Sequence, residues 1–122
     1  MANDFKRFTK PDVGTSTGAS ADAVYTVPAG AGSTALESII IGITLANKTA
    51  AGITASVFLD NYDGSNDVYI VKYATIPAGA SLEVMSGNKI VVQNNGTTGD
   101  VLRVEASSAT SLDATITVLE DV

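Results

Sequence analysis

The chain has 122 residues, a formal net charge of −6, and neither cysteine nor histidine. These absences exclude disulfide staples, thiolate metal sites, cysteine nucleophiles and any mechanism that needs a histidine base. With 7 basic residues against 13 acidic ones, no basic face is available for a phosphate backbone, and nucleic-acid binding is not expected.

Hydrophobic residues make up 45% of the chain, enough for one domain with a real core. No apolar run approaches the ~18 residues that span a bilayer, so no membrane partner is expected. The opening residues are polar where a secretory signal would turn apolar. Synthesis and folding in a cytoplasm are therefore expected.

In chain order, short alternating apolar runs are separated by Gly, Asn, Asp and Pro clusters, the pattern of a β-sandwich or barrel. Phe5 to Lys10 reads as a leading strand or arm, and Pro11 to Ser20 as a loop. Residues 1–20 are accordingly an N-terminal arm and loop, and 21–122 the sandwich. Ala23 to Val27 is a strand that Pro28-Ala29-Gly30 ends. Leu36 to Leu45 is the strongest strand, with Ile39, Ile41, Ile43 and Leu45 on one face, and Gly42 in it marks a bulge or a close approach.

Ile53 to Leu59 alternates cleanly and leaves Phe58 facing away from the aliphatic set. After the polar loop Asp60 to Asn66, Val68 to Ile76 is a strand that places Tyr69, Val71 and Tyr73 on one face. Leu82 to Met85 and Lys89 to Gln93 flank Ser86-Gly87-Asn88 as a hairpin. Val101 to Ala106 and Ala114 to Leu119 complete about eight strands. That count fits an all-β, two-sheet, jelly-roll-like sandwich, with an immunoglobulin-like sandwich as the alternative.

Two features could carry function. Asp60, Asp63, Ser65 and Asp67 crowd one loop and are candidate calcium ligands, since calcium takes six to eight oxygens. The EF-hand pattern is not met: Val71 stands where its closing Glu would be. No other cofactor is expected. At the N-terminus, Phe5 and Phe8 interleave with Lys6, Arg7 and Lys10. Aromatic residues and arginine are favoured at interface hot spots, so these five are the candidate partner-docking residues, with Phe5 and Phe8 alternatively capping the domain's own core. Deleting residues 2–10 is expected to leave the domain folded. Asn47-Lys48-Thr49 and Asn95-Gly96-Thr97 match the glycosylation pattern but read as turn chemistry.

Several segments together resemble a known class. These are Met1-Ala2-Asn3-Asp4-Phe5-Lys6-Arg7-Phe8-Thr9, Val24-Tyr25-Thr26-Val27-Pro28-Ala29-Gly30, Ile39 to Asn47 leading to Ile53-Thr54-Ala55-Ser56-Val57, Tyr69-Ile70-Val71-Lys72 with Ile76-Pro77-Ala78-Gly79, and Ser111-Leu112-Asp113-Ala114. Over most of its length the chain resembles the small virion structural proteins of tailed bacteriophages, especially marine and cyanobacterial ones. The resemblance implies a non-enzymatic virion component made in the bacterial host cytoplasm. Its expected role is capsid decoration (cement), with other virion proteins such as the major capsid protein as partners, and with homo-oligomerisation in which a trimer is favoured. A neck, tail or baseplate component, or a receptor- or glycan-binding module using the loops Asp60 to Asp67 and Asn94 to Asp100, is the alternative.

Overall fold

The computed structural model describes residues 3–62, 67–85 and 87–121. Among the described residues nine strands form: β1 (Asn3–Lys10), β2 (Asp22–Thr26), β3 (Leu36–Asn47), β4 (Ile53–Asp60), β5 (Asp67–Ile76), β6 (Ser81–Glu83), β7 (Ile90–Asn94), β8 (Val101–Ala106) and β9 (Leu112–Asp121). One sheet has the order β1-β9-β3-β6, with β7 also on β3; the other is β2-β8-β4-β5. All pairings are antiparallel and they nest: β4 with β5, β3 with β6 and β7, β2 with β8, β1 with β9. A long hairpin rolled into two sheets gives this order, which is the jelly roll and not the immunoglobulin-like alternative. No helix among the described residues is long and apolar enough to cross a membrane.

The core lies between the sheets and is built by alternation. Ala114, Ile116 and Val118 on β9 face Ala55 and Val57 on β4 and Leu102 and Val104 on β8, all buried. Burying each large aliphatic side chain stabilises the fold by about 1.5–3 kcal/mol before entropy is counted. On these strands the inward faces are those the alternation predicts, and Phe58 does point away from the aliphatic set.

Several elements depart from the sequence expectation. In β3 the register with β9 shifts between Ile40 and Gly42. The bulge reverses the parity, so Ser38 and Ile40 point inward ahead of it and Ile43, Leu45 and Asn47 after it. Ile39 and Ile41 are therefore outward, not on the face of Ile43 and Leu45. In β5 one register shift against β4 separates Tyr69, opposite Phe58, from Val71, opposite Val57, and a second separates Val71 from Ala74, opposite Ala55. Val71 turns to the core while Tyr69 stays outside. Tyr73 adopts φ +54°, a left-handed conformation uncommon for a bulky side chain.

The third departure concerns β6 and β7. They do not pair with each other as a hairpin; both lie along the same edge of β3 and run in the same direction. Of the turn expected between them, Ser86 lies outside the described residues.

β1 is part of the sandwich. It pairs with β9 along its whole length, from Asn3 opposite Asp121 to Lys10 opposite Ala114. The boundary drawn at residue 21 therefore cuts through the folded body.

Candidate interaction surface

β1 divides the predicted docking residues by alternation. Phe8 and Lys6 stand opposite Ile116 and Val118, on the core side. The Phe8 ring packs 4.8 Å from the ring of Tyr25, centroid to centroid, and against the core. Lys6 reaches over the rim of the core, its Nζ 2.9 Å from Oε1 of Glu120. Lys10 is half-buried at the far end of the strand. Phe5 and Arg7 point the other way, into solvent, with Phe5 75% exposed. Of the two candidate anchors, Phe8 thus caps the domain's own core and Phe5 remains available to a partner.

Glu120 explains why Lys6 points inward. Its side chain is only 2% exposed. The Tyr25 hydroxyl donates to Oε2 at 2.6 Å and lies 2.9 Å from Ser38 Oγ. Burial, reinforced by the hydrogen bond to Glu120, pushes the Tyr25 hydroxyl well above the usual phenol range. The hydrogen bond and charge of Glu120 raise Lys6 above the ordinary lysine value. Sequence reading missed this trio because its members are separated by 19 and 95 positions and meet only through the nested pairing.

Phe5 belongs to a larger feature of the outer face. It stands opposite Leu119 on β9; Leu119 stands opposite Ile39 on β3; Ile39 stands opposite Val91 on β7. Four apolar side chains thus form one row across four strands. Phe5 and Val91, at its ends, are 75% and 58% exposed. Arg7, Thr117 and Gly42 form the next row on the same face.

The other sheet carries a second exposed apolar group, on edge strand β5: Val68, Tyr69 and Tyr73, the last 66% exposed. Tyr69 packs on the fully buried Phe58 with ring centroids 5.0 Å apart. Lys72 Nζ sits 4.6 Å from the Tyr69 ring centroid and 5.4 Å from that of Tyr73, within cation–π range. The bulges on this edge turn its backbone away from simple strand addition.

The acidic loop is described only at its ends. Asp63 and Ser65 lie outside the described residues. Asp60 accepts from Arg103 Nε at 3.0 Å and Asp67 stands opposite it in register. Among the described residues no three His, Cys, Asp or Glu side chains gather as a metal would need. Next to this loop, Asp100 ties the chain together, accepting from the backbone N–H of Tyr62 at 2.7 Å and of Gln93 at 2.9 Å.

Both glycosylation-like triplets act as turn chemistry. Asn47 is buried, donates to three backbone carbonyls, and accepts from Thr49. Asn95 Oδ1 accepts from the N–H groups of Thr97 and Thr98, both at 2.9 Å.

A cleft of about 200 Å³ opens beside β8, lined by Thr54, Ser56, Tyr73, Glu105 and Ser107 among others. Clefts of about 230 Å³ near Gln93 and about 200 Å³ near Lys10 are likewise shallow. All three fall below the ~300–1,000 Å³ usual for sites that enclose a small-molecule ligand. Comparison with family models, with curated proteins and with solved structures returns no match.

Proposed function

We propose that this chain is a structural component of a tailed-bacteriophage virion, a capsid decoration (cement) protein that stabilises the particle through many protein contacts and performs no chemistry of its own. The observation that supports this reading most is the placing of the exposed apolar side chains. They stand on both outer faces of the sandwich, the row from Phe5 to Val91 on one sheet and Tyr69 and Tyr73 on the other. Two apolar faces pointing in opposite directions suit a body held between neighbours, whereas the clefts are too small to enclose a substrate.

The resemblance of the sequence to small virion proteins supplies the setting, and viral capsids are among the settings in which jelly rolls recur, though fold alone does not assign function. In this reading the protein is made in the bacterial host cytoplasm and taken up onto the major capsid protein.

The test is mass spectrometry of gradient-purified particles from infected cells, with cryo-electron microscopy to locate the chain. Many copies per particle at a symmetric surface position are expected. A chain present in the lysate and absent from the particles would overturn the reading.

A further inference from the structure

We propose that the outer face of the five-stranded sheet joins a second copy of this chain, face to face, about a two-fold axis that runs along the strands. The inference rests on the reading above only in treating this face as a contact surface.

The argument starts from the row Phe5, Leu119, Ile39, Val91. A two-fold axis parallel to the strands, between β9 and β3, reverses the strand order while keeping each row in place. It sets Phe5 of one copy against Val91 of the other, and Leu119 against Ile39. Large and medium apolar side chains then meet across the interface, and the most exposed pair, Phe5 and Val91, are each covered.

The neighbouring row supplies the charges. Arg7 lies at its β1 end. On β6, Glu83 stands opposite Thr44 and its carboxylate leans over β3: Oε1 would stand 3.9 Å from a Cβ on Gly42 and lies 3.4 Å from Thr44 Oγ1. Gly42 and Arg7 are both in register with Thr117, whereas Glu83 is in register with Thr44, one row further along the same face, so a cation at the β1 end and an anion at the β6 end stand one row apart, with the carboxylate leaning back toward the row of Arg7. The same axis exchanges those ends. Arg7 of each copy then comes within one row of Glu83 of the other, whose carboxylate leans toward it, twice by symmetry. An interface whose own residues satisfy one another under a two-fold operation is isologous, so the arrangement points to a pair and not to the three-fold ring that the sequence reading favours.

The area is sufficient. Four strands ~4.8 Å apart and about ten residues at ~3.4 Å each make a face of roughly 650 Å² per copy, about 1,300 Å² for the pair, and stable interfaces begin near ~1,200 Å².

The test is sedimentation equilibrium of the full chain from low to high micromolar concentration. A reversible dimer is expected. Phe5→Glu and Val91→Glu, both at exposed positions and each checked by circular dichroism for an intact fold, should raise the dissociation constant at least about tenfold. Arg7→Glu should weaken the dimer, and the double change Arg7→Glu with Glu83→Arg should restore it, because the swap rebuilds the pair with reversed sign. A monomer throughout, a trimer, or a dimer indifferent to Phe5→Glu and Val91→Glu would overturn the proposal. Particle incorporation is scored separately. A monomer found on particles defeats this inference alone, and a dimer never found on particles defeats the virion reading alone.

Discussion

Glu120 is the residue on which one end of the core depends. A carboxylate that is 2% exposed is costly to bury unless it is paired and hydrogen-bonded. Here Tyr25 donates to one oxygen and Lys6 faces the other. Tyr25→Phe keeps the ring that packs on Phe8 and removes only the donor. We expect a loss of about 1.5–3 kcal/mol, the usual worth of a hydrogen bond to a charged group, read from urea denaturation at pH 7.

The pH dependence has a definite sign. Tyr25 in the fold holds its proton beyond the value of 10.0 at which the unfolded side chain loses it, so alkaline pH favours the unfolded state. Lys6 is raised above 10.5 by Glu120. Its contribution is complete below that pH and is lost as pH rises through the folded value. Lys48, raised by Asp12 and Asp113, acts in the same direction. Stability should therefore fall as pH climbs above about 10. In Tyr25→Phe the fall should be shallower, because one of the three groups no longer titrates. An unchanged slope would mean that Tyr25 is not held as described.

At the scale of elements, β1 reverses an expectation. Read from the sequence, residues 2–10 are a removable arm; in the fold residues 3–10 cover one side of β9, place Phe8 on the core, and bring Lys6 to Glu120. Deleting them exposes the edge of a strand that lies inside the sheet and strips the buried carboxylate of its cation. We expect the deletion to cost at least about 3 kcal/mol, seen as a lower urea midpoint or as aggregation through the exposed edge. A shortened chain as stable as the full one would show that β1 is dispensable.

The legible elements were those whose alternation runs unbroken. β4, β8 and β9 have the inward faces that period two predicts, because no bulge interrupts them. β3 and β5 were misread in part for one physical reason: a single extra residue flips every later side chain to the opposite face. Gly42 marked the first bulge in the sequence. On β5 nothing did, since Tyr73 takes a positive φ that its residue type does not advertise. The row from Phe5 to Val91 was illegible for a different reason, as it depends on register across four strands. Only Phe5, in its aromatic and basic context, carried a local signal.

For the molecule as a whole, nesting decides how the chain must fold. The tight pairing β4 with β5 closes a short connection, but each outer pairing spans more sequence, until β1 meets β9 with Lys10 opposite Ala114 and Asn3 opposite Asp121. Loop closure must be met before such distant contacts stabilise anything. β9 also lies between β1 and β3 and supplies Leu112, Ala114, Ile116 and Val118 to the core, each no more than 1% exposed. The sheet that holds β1 cannot form until the last strand arrives. Refolding after dilution from urea should therefore be slow for a chain of this size, in the ms–s range of non-local β folds and not the μs–ms of helical bundles. Stopped-flow tyrosine fluorescence can follow it, since the chain has 4 tyrosines and no tryptophan. Ile116→Val, a conservative deletion in the middle of β9, should destabilise by about 0.5–1.5 kcal/mol. If β9 docks last, as the nested pairing leads us to expect, that loss should appear mainly as faster unfolding with refolding little changed. If refolding slowed by the full amount instead, β9 would belong to the nucleus, and the rolled hairpin would close from its ends inward.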